Sequence, residues 1–311
     1  LIWLLDKCKT AMGSRKLKSW LESPLTDIKE IESRYNTVST LLEEFILSDE
    51  LRKYLYEVYD LERLCGRISL GSANGRDLIQ LKNSLKVLPE INNILKEIKY
   101  KPLEDVSDLY NLLENSLYEA PPVTLKEGYL IKEGFNKELD ELKDLRSGGK
   151  EFISNYEQEE REKTGIKNLK VGFNKVFGYY IEISKGNLNL VKDEFGYIRK
   201  QTLANCERFI NPILKEKEDL VLSAEEKIIN LEYELFINIR SSCQEYIPIL
   251  QEIAKIISKI DVLSSFALIS EKYNYIKPEL NDNHELEILE GRHPVVEKVI
   301  KEKYIPNDII M

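Results

Sequence analysis

The stretch LKVGFNKVFGYYIEIS, residues 169–184, decides the architecture, because it interrupts a chain whose apolar pattern is otherwise helical. Apolar residues alternate with small or polar ones over 169–173, and 176–183 is aromatic and β-branched without a helical period. We expect two strands here, joined by a tight hairpin at Asn174-Lys175. Asn suits the first position of such a turn, but Lys suits the second poorly, so the turn type stays open.

The residues that follow continue the β pattern. Ser184-Lys185-Gly186-Asn187 predicts a turn, and 197–203 predicts a third strand. Thr202 would then cap a short helix, with Asn205 and Arg208 exposed on its first turns. We expect the aromatic side chains of the region to fill its own small core rather than to stack on nucleic acid. They include Phe173, Phe177, Tyr179 and Tyr180.

Positive charge sets the same region apart. Between Lys163 and Lys215 there are ten Lys or Arg and four Asp or Glu, a net charge of +6. The whole chain carries −9, so the remainder carries −15. Composition, charge and periodicity all change together, which predicts a separate basic module in an acidic chain.

Helical patterns flank this module on both sides. Asp27 followed by Glu30 is typical of a helix start, and apolar residues then recur at spacings of three and four. The same spacing covers about 130–162 and 213–272, with a candidate kink at Pro248. We therefore expect a mainly α fold. Its small β-rich module would be inserted between two antiparallel long helices.

Composition excludes several classes of protein. No apolar run reaches the roughly 18 residues of a membrane span, and the opening LIWLLDK lacks the basic stretch of a signal peptide. Four scattered cysteines without a CxxC pair predict neither a zinc module nor a disulfide framework, and they favour a cytoplasmic protein. His284 and His293 are too few for a histidine-built metal site. The chain begins inside an apolar pattern without Met, so we expect a piece of a longer protein.

The sequence contains no nucleotide-binding motif of the P-loop type. Gly149-Lys150 is the only Gly-Lys pair, and neither Ser nor Thr follows it. Asp144 stands where a P-loop requires its first Gly. We therefore expect no phosphate-binding loop.

Long motifs in a fixed order resemble the MutS family of DNA mismatch-repair proteins over essentially the whole chain. They begin with Leu5-Asp6-Lys7. They continue with KTAMGSRKLKSWLESPL from 9, YDLERLCGRISLGSANGRDLIQLKNSL from 59, LKVGFNKVFGYYIEISKGNL from 169, GYIRKQTLANCERFI from 196 and LEGRHPVVE from 289. So many motifs in one order are far more specific than any short pattern.

The resemblance implies a domain organisation. It places a helical core and lever at about 1–150 and 211–270, a clamp at 151–210 and the start of an ATPase domain at 271–311. It implies a parent protein that is a DNA-dependent ATPase, uses ATP with Mg, works as a homodimer and meets downstream repair proteins. The mismatch-probing domains and the P-loop are expected to be missing here. We therefore expect neither enzyme activity nor a cofactor in this chain.

The resemblance also implies candidate sites. Family clamps grip duplex DNA by its backbone, where Lys and Arg neutralise phosphates and Asn or Thr positions the strand. The candidate DNA contacts are Arg199, Lys200, Thr202, Asn205, Asn174 and Lys175. Tyr304 and Ile305 match the adenine contact of the full-length family members, although packing of a strand start describes them best in this chain. His293 is expected to form structural hydrogen bonds.

Two other functions stay open at this point. The basic residues could simply solvate the sheet of a coiled-coil scaffold whose β module binds protein. Alternatively, the chain could belong to a relative that acts on branched or recombining DNA. The partner we expect is double-stranded DNA, bound weakly and through its backbone, with no membrane involved. We expect the chain itself to be monomeric or weakly associated.

Overall fold

The computed structural model describes residues 1–174, 176, 178–283 and 285–311, and only the main chain of Lys150. These residues are mainly helical with a small antiparallel sheet, which confirms the predicted fold class. They form two compact units. The first comprises Leu1–Glu114 and Ile239–Met311, and the second comprises Asn115–Asn238. No helix among the described residues is long and apolar enough to cross a membrane. The predicted domain boundaries stay predictions.

The helices are α1 (Ile2–Leu5), α2 (Ala11–Glu22), α3 (Ile28–Glu43), α4 (Phe45–Glu57), α5 (Leu61–Ser69), α6 (Gly75–Lys86), α7 (Leu88–Glu97), α8 (Ser107–Ser116), α9 (Lys137–Thr164), α10 (Pro212–Glu245), α11 (Ile247–Tyr273) and α12 (Val296–Val299). The strands are β1 (Lys170–Asn174), β2 (Gly178–Ser184), β3 (Ile198–Thr202), β4 (Cys206–Ile210), β5 (Glu287–Gly291) and β6 (Asn307–Ile310). Two 3₁₀ turns, Lys185–Leu190 and Asp193–Phe195, lie between β2 and β3.

Local signals set the helix boundaries. The side chain of Asp27 accepts a hydrogen bond from the amide of Glu30 at 2.8 Å, so the predicted start of α3 is confirmed. The predicted run over 213–272 is two helices rather than one, because the chain breaks at Tyr246 between α10 and α11. Pro248 lies in the first turn of α11, where a missing N–H costs nothing, and is therefore a start signal for that helix.

Helix α11 is the centre of the first unit and contacts α2, α3, α4 and α5. Its buried Asp261 accepts hydrogen bonds from the amides of Lys9 at 2.9 Å and Thr10 at 2.8 Å. The hydroxyl of Thr10 donates to the same carboxylate at 2.8 Å. A Cβ at Gly13 would collide with that carboxylate, so α2 approaches α11 closely only because residue 13 is glycine. Burial raises the pKa of Asp261 despite these donors.

Helices α9 and α10 run antiparallel in the second unit, as predicted. Lys143 Nζ lies 3.2 Å from Glu232 Oε1, Gly149 lies against Val221, and Tyr156 is hydrogen-bonded to Asn211, so the partner number falls as the α9 number rises. The Lys143–Glu232 pair is almost fully buried. Buried charges require such pairing, because neither could leave water alone without a large cost.

The buried pair also secures the segment that precedes α9. Lys143 Nζ donates to the carbonyl of Ile131 at 2.9 Å, and the amide of Leu130 donates to Glu232 Oε2 at 3.1 Å. A single β-bridge joins Leu117 to Ile131. The main chain of the segment 117–131 is thus held against the helix pair.

The four-stranded sheet of the second unit has the order β1-β2-β4-β3 with antiparallel neighbours. One face packs on α9 and α10. The shared core contains Ile153, Tyr156, Ile166, Leu169, Ile181, Ile183, Phe209, Leu214 and Val221. The β1–β2 hairpin and the third strand are confirmed, whereas Lys175 in the predicted turn lies outside the described residues. The short helix predicted after Thr202 is wrong, because 206–210 forms β4 at the centre of the sheet.

Glycine permits one close approach in this unit. Gly178 has φ +80°, a region that L side chains rarely adopt, and a Cβ there would collide with the carboxylate of Glu218. That carboxylate accepts a hydrogen bond from the amide of Tyr179 at 2.7 Å and pairs with Lys215 at 2.7 Å. The start of β2 is therefore held on α10.

Candidate nucleic-acid interface

Four of the predicted DNA contacts share one hairpin. Arg199, Lys200 and Thr202 belong to β3, and Asn205 lies in the short loop that leads to β4. The loop is closed by a hydrogen bond of 2.9 Å from the amide of Leu203 to the carbonyl of Cys206. Since β3 is an edge strand of the sheet, no other strand of the described residues pairs with its outer side.

Arg199 is already paired. Its Nε lies 2.8 Å from Glu207 Oε2, and the side chain of Glu207 is only 7% exposed. Arg199 stands opposite Phe209 in the register, on the sheet face that meets the helices, so its stem follows the core while the side chain remains 62% exposed. The charge of Arg199 therefore neutralises a buried carboxylate.

Lys200 differs from its neighbour because the ladder is irregular at this point. Arg199 pairs with Phe209 and Gln201 pairs with Arg208, so two steps on β3 oppose one step on β4. Lys200 is the extra residue of this bulge and has no partner in the ladder. Its side chain is exposed and makes no ion pair with the described residues.

Thr202 and Asn205 lie at the end of the sheet where two other segments meet. The amide of Lys185, after β2, donates to the carbonyl of Asn205 at 3.0 Å. Asn168, before β1, donates through Nδ2 to Ser184 Oγ at 2.8 Å and accepts from Nδ2 of Asn187. We call Lys167, Asn168, Lys185, Asn187 and Asn205 the strand-end surface. Its two lysines are exposed and make no ion pair with the described residues.

Sequence reasoning missed four of these five residues. A usable signal was present, since Lys167-Asn168 precedes β1 and Lys185 with Asn187 follows β2. The start of one strand and the end of its antiparallel neighbour share one edge of a sheet. The turn after β2 was predicted, but its side chains were not connected with those before β1.

Asn174 lies away from this group. It ends β1 opposite Gly178, at the other end of the sheet, and β1 is the opposite edge strand from β3. Its Oδ1 accepts a hydrogen bond from the amide of Val176 at 2.8 Å, which is a turn-forming role. The structure therefore does not bring Asn174 together with Thr202 and Asn205.

The positive charge of Arg208, on the outer face of the sheet, is neutralised by its neighbours. Arg208 Nε lies 2.9 Å from Glu182, its Nη1 donates to Gln201 Oε1 at 3.0 Å, and the guanidinium stands 4.2 Å from the ring centre of Tyr180. The expectation that Arg208 is exposed on a helix is therefore wrong, because it lies in β4 with its charge satisfied on three sides.

The aromatic side chains divide between core and surface. Tyr179 is half-buried against the core, while Phe173 is half-exposed and meets the Tyr179 ring edge-on at 5.0 Å. Tyr180 covers Gly172 on the outer face. The expectation that these residues all fill the core is thus wrong for Phe173 and Tyr180. Phe177 lies outside the described residues.

The predicted adenine contacts lie in the first unit, in the segment that leads into β6. Tyr304 is half-buried, and its hydroxyl accepts a hydrogen bond from the amide of His293 at 2.9 Å, whereas Ile305 is 76% exposed. His293 Nδ1 accepts from the amides of Val295 and Val296 at 3.3 and 3.2 Å. These contacts fit the structural role that we expect for His293.

Comparisons with known proteins agree on one family. A family model described as MutS domain III matches residues 1–267. The DNA mismatch repair protein MutS of Bacillus subtilis (strain 168) is 52% identical over 319 residues, covering 100% of this chain and 37% of that protein. MutS of Geobacillus sp. (strain WCH70) is also 52% identical, with the same coverage. MutS of Staphylococcus saprophyticus is 50% identical over 316 residues, covering 99% of this chain and 36% of that protein.

The chain therefore spans a little over a third of the length of the curated relatives that it matches.

Proposed function

Because this chain belongs to the MutS family of DNA mismatch repair proteins, we propose that its second unit carries a clamp that grips duplex DNA by the phosphate backbone. The clamp would correspond to about 151–210. In this proposal 1–150 and 211–270 form the core and lever, and 271–311 begins an ATPase domain. The lever would couple the grip on DNA to the nucleotide site of the full-length protein.

One observation carries the proposal: four exposed lysines of the basic region remain without an acidic partner among the described residues. Lys167 and Lys185 belong to the strand-end surface, Lys170 begins the edge strand β1, and Lys200 lies on the other edge strand, β3. Their charges are available in a chain whose net charge is −9. Polyanions with closely spaced charges, such as duplex DNA, are attracted to such a local concentration of cations.

The chemistry of the strand-end surface favours the backbone over the bases. Lysine ammonium groups bind phosphate oxygens as point charges, and the amides of Asn187 and Asn205 add neutral donors that position a strand without reading sequence. None of the residues of the strand-end surface belongs to an α-helix or a β-strand that could enter a DNA groove and contact the bases. Equal affinity for matched and mismatched duplexes is therefore expected.

The direct test is fluorescence anisotropy of a labelled duplex of about 30 base pairs, titrated with the chain at about 50 and 200 mM salt. The variant Lys167→Ala/Lys185→Ala/Lys200→Ala should lose most of the affinity at the lower salt. Matched and mismatched duplexes should behave alike. Absence of binding by the unaltered chain, even at the lower salt, would refute the proposed grip.

A matched control removes the same charge elsewhere. Lys18, Lys53 and Lys137 are exposed lysines that pair with acids one helical turn away, at 3.8, 2.6 and 3.7 Å respectively. Their triple alanine variant changes net charge equally. It should therefore retain binding if the position of the charge matters, and it should lose binding equally if only net charge matters.

We propose the remaining properties of the parent protein from its membership of the same family. It would act as a homodimer, use ATP with Mg and meet downstream repair proteins. Tyr304 fits an adenine through its ring, with Ile305 beside it, but neither residue can hold phosphates. We therefore assign these two residues an adenine contact only in the full-length protein, and no chemical step in this chain.

A further inference from the structure

The two adjacent cations of β3 have different surroundings. Arg199 pairs with Phe209 in the ladder, on the face that meets the helices, and Lys200 is the extra residue of the bulge. A bulge changes the direction in which a side chain leaves the strand. Two neighbouring positive charges in the sequence are thus presented to different environments.

The carboxylate of Glu207 competes with any phosphate for Arg199. Glu207 Oε2 lies 2.8 Å from Arg199 Nε, and Glu207 is almost fully buried, so it has little water to stabilise its charge. If Arg199 turned to a phosphate, Glu207 would be left as a buried, unpaired anion beside another anion. Lys200 can contact a phosphate without leaving an anion unpaired, because it makes no ion pair with the described residues.

We propose a division of labour that rests on the proposed grip on DNA: Lys200 contacts phosphate, and Arg199 is a positioning residue. Arg199 holds the edge strand on the sheet by neutralising Glu207, and the bulge then directs Lys200 outward. Opposite Thr202 in the ladder stands the same Glu207, so loss of the pair also affects the end of β3 that leads to Asn205.

Salt dependence separates the two roles. Each phosphate contact contributes to the slope of log affinity against log salt concentration, so Lys200→Ala should make that slope less steep by about one. Arg199→Ala should leave the slope unchanged. It should instead accelerate amide hydrogen exchange in 198–210, because the buried carboxylate has lost its partner, while exchange in α11 stays the same.

A second variant tests the cause of that loosening. Arg199→Ala/Glu207→Gln removes the unpaired charge, so exchange in 198–210 should return towards that of the unaltered chain. Lys200→Ala should not change exchange there. This hydrogen-exchange comparison needs no DNA and reports only on the sheet.

The outcomes are distinguishable from failure of the proposed function. If the unaltered chain does not bind DNA, the grip and the phosphate role of Lys200 are both overturned. If it binds and Lys200→Ala leaves the slope unchanged, only the division of labour is overturned. A slope reduced by Arg199→Ala with unchanged exchange would assign the phosphate contact to Arg199 instead.

Discussion

The close packing of α9 on α10 makes two adjacent glycines respond in opposite ways to the same substitution. A Cβ on Gly149 would lie about 1 Å or more inside the roughly 3.5–4.0 Å separation of carbon contacts from a methyl of the buried Val221. A Cβ on Gly148 meets nothing within 4 Å. Both substitutions gain about 1 kcal/mol of helix propensity, because alanine replaces glycine inside a helix.

Only Gly149→Ala carries a steric cost, which for overpacking is typically about 1–3 kcal/mol. Gly148→Ala should therefore stabilise the second unit by about 1 kcal/mol, and Gly149→Ala should lie about 1–3 kcal/mol below it. The propensity gain cancels in this comparison, so the difference isolates the clash. Val221→Ala combined with Gly149→Ala should show a favourable coupling of similar size, because the colliding methyl is gone.

The assay must report on the second unit alone. Both tryptophans, Trp3 and Trp20, belong to the first unit, so their fluorescence does not report on α9. Amide hydrogen exchange within Lys137–Thr164, measured at increasing urea, gives the local free energy of opening directly. Equal stability of Gly148→Ala and Gly149→Ala would refute the close approach of the two helices.

Three further outcomes are expected. Gly178→Ala should raise hydrogen exchange of the β1–β2 hairpin, because φ is +80° and the space is occupied, whereas Gly186→Ala has nothing within 4 Å and should not; equal effects would contradict the packing of this hairpin. The hydrogen bonds from Arg15 lower the pKa of Asp60 below 3.8, so the stabilisation is present above that value and is lost as the pH falls through the folded pKa. Arg15→Met should therefore reduce the free energy of unfolding at pH 7, by at most about 1 kcal/mol for so exposed a pair, and the difference should vanish in acid. Burial raises the pKa of the Cys65 thiol to about 11, so its reaction with a thiol reagent at pH 8 should be slow until urea unfolds the chain, and fast labelling of the native protein would contradict its burial.

Features governed by local sequence were predictable. The apolar spacing after Asp27 and the alternation around Asn174 each need only neighbouring residues, so α3 and the β1–β2 hairpin follow from the sequence. The break at Tyr246 was not predictable from the spacing, because apolar residues continue on both sides of it. Pro248 carried the signal, but its meaning depends on where the first turn begins.

Strand β4 shows why the rest was missed. Glu207 occupies a position that faces the core, so the alternation of apolar and polar residues fails there. Its presence is tolerated only because Arg199, eight residues earlier and on another strand, supplies the opposite charge. A pattern read along one strand cannot detect a partner that the fold provides. For the same reason Lys200 was predicted together with Arg199, although their environments differ.

The candidate site was recoverable only in part. Thr202 and Asn205 were found from a motif, whereas Lys167 and Lys185 join them through three separate chain segments that meet at one end of the sheet. Sequence distance separates these lysines, and only the antiparallel register brings them together.

The discontinuity of the first unit has a consequence for the order of events on the ribosome. The hydrogen bond between the amide of Thr10 and Asp261 spans 251 residues, whereas Tyr156 and Asn211 lie 55 residues apart. At a synthesis rate of about 5–20 residues per second, Thr10 waits roughly 13–50 s for its partner, and Tyr156 waits roughly 3–11 s. The middle of the chain can therefore close first, while the apolar face of α2 remains uncovered until α11 emerges. Until α11 has been synthesised, this face of α2 is therefore accessible to chaperones and proteases.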